Sequence, residues 1–289
     1  MQLLQPSSLD EPIPSDSVIL SGGTEVVPML RDGLLQAETL VDVREIVPRG
    51  IDGKGTRGQT EVSPRAGWVI GAGTTLGELE ADPEIPDALR EACRLAASPQ
   101  LRNMGSVGGN LLQATRCWYW RLKFPCRLHG GDTCHARAGQ HREHAIFGNG
   151  YCASAHPSDV AAALIALGAT MRTTTRELPV ADLYRLPTED DRSVTTLEPG
   201  ELILELDVPR ADRSVYLKAM ERRRWSFPIV GVAAASTGAE QRIVLAGVAP
   251  IPWVLDSPDA LADATPLPGT AYKAEIAEAL VRRALEAIA

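Results

Sequence analysis

Residues 18–24 read VILSGGT, and residues 25–34 continue EVVPMLRDGL. The apolar run Val18-Ile19-Leu20 stops at Ser21-Gly22-Gly23-Thr24, and a short helical pattern follows the glycines. A second apolar run at 39–43 completes a strand, glycine turn, helix, strand unit. Backbone amides converge on a phosphate only where no side chain intervenes, and glycine permits both the close approach and positive φ angles. A helix opening after the turn adds the positive end of its dipole. By itself a Gly-Gly doublet is more often a plain tight turn.

Further along, residues 105–110 read GSVGGN. There Ser106-Val107-Gly108-Gly109-Asn110 is placed to offer a second set of amides and the Asn110 side chain. Neither segment is the GxGxxG of a doubly wound dinucleotide fold or the GxxxxGK[ST] phosphate loop. Residues 48–65 are polar and glycine-rich, as in a loop or hairpin tip. A strand at 68–71, a short helix at 76–80 and a helix at 87–97 come next. Ser158-Asp159 is an N-cap signal ahead of VAAALIALGA. From about residue 170 the pattern is mostly strands, at 170–175, 201–208, 215–220, 229–235 and 243–248, closed by a helix at 271–288. This is a mixed α+β chain, with a smaller sheet-and-helix part from about residue 211.

The 289 residues suffice for two domains. A net charge of −8 argues against general nucleic-acid binding, which needs a basic surface to replace counterions. No apolar stretch approaches the ~18 residues of a membrane span. The start MQLLQPSSLDEPIPSD lacks a basic region followed by an apolar one. The expectation is a cytoplasmic chain, exported, if at all, bound to a signal-bearing partner.

Cys117, Cys126, Cys134 and Cys152 cluster, with only Cys93 outside, and all five histidines fall between 129 and 156. Four thiolates are what a cubane cluster requires, one per iron. Zinc with mixed Cys and His ligands is a chemical alternative, although no CxxC pair is present. Two disulfides are a third, in an oxidising compartment. Cys93 lies in a helical pattern and reads as a small buried apolar residue. Read alone, Asp159 is as much a helix cap as a ligand contact, and Lys218 a solvated strand lysine. Arg222-Arg223-Arg224 reads as a solvated face or partner contact, and Trp118, Tyr119 and Trp120 as packing within the cysteine-rich stretch.

Eight segments, in order, resemble one known family: SGGTEVVPML, LVDVREI, VIGAGTTLGELE, SPQLRNMGSVGGNLL, HPSDVAAALIALGA, GELILELDVP, YLKAMERRR and RIVLAGVAPIPW. They are similar to the flavoprotein subunits of the xanthine dehydrogenase and carbon monoxide dehydrogenase (molybdenum hydroxylase) family, from about residue 18 to the end. The resemblance implies an α+β, vanillyl-alcohol-oxidase-type (PCMH-like) FAD-binding domain over 1–210, with subdomains at about 1–50 and 62–210. A C-terminal CO-dehydrogenase-flavoprotein-like α+β domain would follow over 211–289. The two glycine loops would grip the FAD diphosphate, with Leu20, Ser21, Gly22, Gly23, Thr24, Glu25 and Val26 on one side. Ser106, Val107, Gly108, Gly109 and Asn110 would stand on the other, and Arg102 is counted with them. Ser158 and Asp159 match a pair near the ribityl chain and flavin, Leu204 an apolar contact on the ring, and Lys218 a lysine close to it. The family's fuller helix before its first loop has no room here, because DEPIPSD at 10–16 holds two prolines. Many relatives have arginine where this chain has Trp253.

The insert at 116–156, opening with RCWYWR, is most similar to periplasmic-type aldehyde oxidoreductases. Their flavin subunit carries a [4Fe–4S] cluster, which implies one on Cys117, Cys126, Cys134 and Cys152. Benzoyl-CoA-type reductases share that feature, so the insert does not fix the substrate. By the same resemblance, a molybdenum-cofactor large subunit would oxidise the substrate, and a small [2Fe–2S] subunit would pass electrons to FAD in this chain. The assembly would be a heterotrimer or a dimer of heterotrimers, and this chain would deliver the electrons to an external acceptor. Two rivals are a zinc-stapled assembly subunit without catalysis and a free-standing flavin oxidase. The latter needs its own acid–base pair in a substrate cavity, and none is evident.

Overall fold

The computed structural model describes residues 1–53, 67–222 and 225–289. The chain opens with strands β1 (Gln2–Leu4) and β2 (Val18–Leu20), helix α1 (Val26–Arg31) and strand β3 (Thr39–Asp42). β4 (Ile51–Gly53) and β5 (Gly67–Gly71) form an antiparallel pair, Ile51 opposite Ile70. The tip expected within 48–65 lies largely outside the described residues. Helices α2 (Leu76–Ala81), α3 (Asp87–Leu95), α4 (Pro99–Arg102), α5 (Val107–Leu111), α6 (Trp118–Arg121) and α7 (Asp159–Ala166) follow. Then come β6 (Thr170–Thr173), β7 (Glu177–Pro179), β8 (Ile203–Pro209), β9 (Arg213–Ala219), β10 (Val230–Thr237), β11 (Glu240–Ala246), β12 (Trp253–Leu255) and helix α8 (Tyr272–Ile288).

The strands form three sheets. The first, in order β1-β3-β2, is parallel; the second, β4-β5-β8-β6-β7, and the third, β12-β11-β10-β9, are antiparallel. The prolines of 10–16 leave that segment without a helix, and β1 pairs with β3 instead.

α7 forms where the Ser158 hydroxyl accepts from the Ala161 amide at 3.0 Å, leaving a run of alanine and aliphatic residues to continue the helix. A helix apolar on every side belongs inside a protein, and every residue of α7 is buried. β10 lies between α7 and α8, and its period of two sorts the side chains. Ala233 and Ala235 join the core around α7, whereas Val230, Val232 and Ala234 join the core around α8. A one-residue slip would exchange the two faces, so two-sided burial fixes the register. α8 meets β10 with Ala277, Leu280, Val281, Ala284 and Ile288, a helical stripe. A third, smaller core joins Val41, Val43 and Ile46 to Leu202 and Leu204, tying the first sheet to the second. Among the described residues no helix is long and apolar enough to cross a membrane.

Candidate functional site

β2 delivers the first glycine turn. Leu20 pairs with Asp42, and its carbonyl accepts from the Val43 amide at 3.0 Å. The chain reverses at Gly23, whose φ of +70° glycine adopts freely. α1 then begins, with the Val27 amide donating to the Gly23 carbonyl at 3.1 Å. The amides of Gly22, Gly23, Thr24 and Glu25 donate to no acceptor among the described residues.

The second doublet is built differently. Read as a loop, it is the short helix α5, capped by the Ser106 hydroxyl, which accepts from the Gly109 amide at 3.2 Å. The Val107 amide donates to the Thr74 carbonyl at 2.8 Å, that of Gly108 to Ala72 at 2.9 Å, and that of Asn110 to Ser106 at 2.9 Å. The second set of amides is therefore spent inside the fold, and this side presents side chains. A Cβ on Gly108 would sit 3.0 Å from the Ala72 Cβ, which is why the helix approaches β5 so closely there. Asn110 Oδ1 accepts from the Ser158 hydroxyl at 2.6 Å, which leaves its amide nitrogen for a ligand.

The two segments touch backbone to backbone. A Cβ on Gly22 would lie 1.7 Å from the Met104 carbonyl oxygen, and one on Gly105 3.4 Å from the Thr24 hydroxyl. They stand at a cleft of about 980 Å³. Ser21, Gly22, Gly23, Thr24, Glu25, Val26, Ser106, Gly108, Gly109, Asn110 and Asp159 all line it.

Other expected contacts lie elsewhere. Leu20 and Val107 sit behind the turns. Arg102 binds Glu80 at 2.7 Å and the Ala96 carbonyl at 3.0 Å, joining α4 to α2. Ser158 is one step back, capping α7. Leu204 is turned away because β8 is bulged: Arg172 faces Glu205 and Thr173 faces Ile203, so Leu204 is the extra residue. Its side chain enters the small core, and Leu202 and Ile203 line the cleft instead. Lys218 is no solvated strand lysine. Its ammonium is fully buried 2.8 Å from Asp159 Oδ2, and the Tyr216 hydroxyl donates to Asp159 Oδ1. Burial pushes the Asp159 carboxyl up, and Lys218 and Tyr216 oppose that.

Several lining residues had no sequence signal, among them Arg116 and Arg121, the partners of the expected contact Glu25. Glu25 pairs with Arg116 at 2.7 Å and Arg121 at 2.5 Å, contacts spanning some ninety positions. Glu201 faces the cleft, and burial raises its pKa less than its partners lower it. Arg176, the Glu198 amide, Thr173 and Thr175 hold its pKa at about 2. His156, buried under Tyr184, is held to about 3 by burial. Trp225 and Phe227 form an exposed apolar lip, with the Arg222 guanidinium over Trp225. Arg223 and Arg224 lie outside the described residues.

The cysteine-rich insert borders the same cleft through Cys117, Trp118, Arg121 and His144. Amides of Ile146 and His156 bind the carbonyls of Val248 and Ala249, and Phe147 stacks on Trp253 at 5.3 Å, which fastens the insert to the third sheet. Tyr119 packs on Phe124 and Trp120 stacks on His129 at 5.2 Å, so these aromatics pack the insert. All five cysteines are free thiols. Cys117 lies within electrostatic reach of Cys152 and Cys126, and Cys152 of Cys134 and Cys126. Cys117 Sγ is 3.2 Å from His144 Nε2. Burial pushes the Cys117 thiol up to about 11 and holds His144 down to about 4. Among the described residues no three His, Cys, Asp or Glu side chains stand close enough to hold a single metal ion.

Residues 4–211 match the family described as the FAD binding domain in molybdopterin dehydrogenase. The chain is 32% identical over 255 residues to the aldehyde oxidoreductase FAD-binding subunit PaoB of Escherichia coli (strain K12), covering 83% of this chain and 77% of that one. It is 35% identical over 101 residues to the carbon monoxide dehydrogenase medium chain of Hydrogenophaga pseudoflava, covering 34% and 32%. A solved structure of carbon monoxide dehydrogenase from that organism, which lacks the Mo-pyranopterin moiety, superposes with a TM-score of 0.69 and 25% identity, over 99% of this chain and 96% of that one. The fold is the PCMH-like FAD-binding fold that the sequence resemblance implied. Matched over most of its length by the domain family and by a relative 32% identical to it, the chain belongs to the FAD-binding subunits of the molybdenum hydroxylases.

Proposed function

We propose that this chain is the FAD-binding electron-transfer subunit of a molybdenum-containing aldehyde oxidoreductase or xanthine dehydrogenase-like complex. The observation behind this is the packing of Gly22 on the Met104 carbonyl, which sets four unspent amides at the mouth of a large cleft. FAD fits that arrangement. The amides of Gly22 to Glu25 would hold the diphosphate, Ser106 and Asn110 would face them, and Leu202 and Ile203 offer apolar surface for the ring. Bound FAD supplies exchange between two-electron and one-electron chemistry. The chain's own part is to orient that group, exclude water from it and fix the charges around it: the Asp159–Lys218 pair, Glu201, and the arginines on Glu25.

In this reading a molybdenum-cofactor subunit oxidises the substrate, and a [2Fe–2S] subunit passes the electrons here on the way to an external acceptor. An aldehyde is the favoured substrate class, because the relative matched over most of the chain is named an aldehyde oxidoreductase subunit. The FAD-binding domain would span 1–210 and the C-terminal flavoprotein domain 211–289. Assembly in the cytoplasm follows from the cluster, since four reduced thiols must meet iron before any export.

Cys117, Cys126, Cys134 and Cys152 would together hold one [4Fe–4S] cluster. In support, Cys152 lies within electrostatic reach of Cys117, Cys126 and Cys134, and a cubane spreads its thiolates wider than the ligands of one ion. Zinc is the second reading, favoured by the contact of His144 with Cys117 and by the buried His135 Nε2 and His144 Nδ1, which have no hydrogen-bond partner among the described residues. Anaerobic purification with metal and flavin analysis separates them. The expected result is a flavin absorption spectrum with about four iron per chain. Zinc without iron would replace the cluster, and a protein that never holds flavin would end the electron-transfer role.

A further inference from the structure

Arg116 stands at the wall of the cleft beside the first glycine turn. Its Nη1 is 2.7 Å from Glu25 Oε2, its Nη2 donates to Gln113 Oε1 at 3.0 Å, and its guanidinium lies 4.9 Å from the Phe227 ring centroid. Nε is buried and has no hydrogen-bond partner among the described residues. Arg121 differs. Its Nε donates to the Thr115 carbonyl at 2.9 Å, and its Nη2 is shared between Glu25 and the Ala114 carbonyl.

Two features of this group need an explanation. A carboxylate beside an anion cradle repels the anion, yet Glu25 follows directly on the glycine turn. Two arginines on one carboxylate reverse that charge, and the group as a whole is positive. Moreover, a buried donor without an acceptor is costly, and such orphans are rare in folded proteins. A phosphate oxygen is the strong acceptor that a guanidinium N–H fits best. Glu25, which holds that guanidinium, is itself the last residue of the run of unspent amides from Gly22 to Glu25.

We propose that Arg116 is a further FAD-binding residue, donating from Nε to an oxygen of the diphosphate, with Glu25 holding its guanidinium in position and Arg121 sharing that carboxylate. This rests on the FAD reading and adds a charged side chain to a cradle otherwise made of backbone amides and uncharged side chains. Arg121 is a positioning residue only.

The test titrates the full chain, stripped of flavin, with FAD and with riboflavin, which has the ring but no phosphate. Arg116→Gln is expected to weaken FAD about 10- to 100-fold, with a shallower salt dependence and unchanged affinity for riboflavin. Arg116→Lys keeps a cation for the pair with Glu25 but loses the Nε donor and the planar fork that also reaches Gln113, so it should weaken FAD by a smaller factor and carries the comparison if the glutamine variant does not fold. The unfolding temperature of the flavin-free Arg116→Gln chain should be unchanged or raised, because an orphan donor is gone. FAD affinity equal to wild type in both variants, or an equal loss for FAD and riboflavin, would overturn the assignment. A wild-type chain that binds no FAD would instead bring down the flavin reading itself.

Discussion

The ammonium of Lys218 on β9 lies 2.8 Å from the Asp159 carboxylate at the first residue of α7, with side-chain exposures of 0% and 3%. The Lys218 ammonium also donates to the Leu95 carbonyl at 3.0 Å, and Tyr216 donates to the other carboxylate oxygen. The pair thus pins α3, α7 and the third sheet together behind the cleft. Breaking a buried pair strands a charge, whereas replacing both partners need not. Lys218→Met is expected to cost about 3–5 kcal/mol, and Lys218→Met with Asp159→Asn markedly less. Denaturant unfolding of both variants checks this; equal losses would show that the two residues are not coupled.

Glu201 makes the acid limb of stability measurable. Its carboxyl is held at about 2, below the ordinary 4.5. A depressed acid contributes stability that is fully present above the ordinary value and is lost as pH falls through the folded value. The wild type should therefore lose about 3 kcal/mol relative to Glu201→Gln between roughly pH 4.5 and 2. A stability difference that stays flat over that window would refute the assignment.

Lys273 gives the opposite limb. It is fully buried, and its ammonium donates to the carbonyls of Glu143 at 3.0 Å and Gly247 at 2.8 Å. Burial holds its pKa down to about 7, from an ordinary 10.5. Stability from this group is full above the ordinary value, declines as pH falls, and is gone below the folded value. Between about pH 7 and 10 the wild type should gain on Lys273→Met by up to about 1.4 kcal/mol per pH unit. Paired thermal melts across that range would show the trend, and a constant difference would contradict it.

Serine at Cys117, Cys126, Cys134 or Cys152 should each lower bound iron, while Cys93→Ser should not. Cys93 is fully buried in the core with α2 and α3, and burial raises its thiol far above the ordinary value. Iron assay of the five variants decides, and iron loss confined to one position of the four would argue against a shared cluster.

Much of the frame was legible because it rests on local signals. Ser158 and the apolar run after it specify α7, and the apolar stripe of 277–288 specifies the packed face of α8. β1, β7 and β12 are three residues each, too short to show a period. The site was legible only in part, since its details are set by distant partners. Nothing near Gly108 says that the Ala72 carbonyl will take its amide. The bulge that turns Leu204 inward depends on β6, and the burial of Lys218 depends on a carboxylate 59 positions away. Arg116 reads as an ordinary charged residue until Glu25 is placed beside it.

The most direct test of the cradle is FAD affinity in Gly22→Ala. The added methyl would meet the Met104 carbonyl at 1.7 Å and force the two turns apart. The expected result is a folded chain, judged by circular dichroism, whose FAD affinity drops by at least about 100-fold. A folded Gly22→Ala chain that binds FAD as the wild type does would contradict the claim that these two turns grip the cofactor.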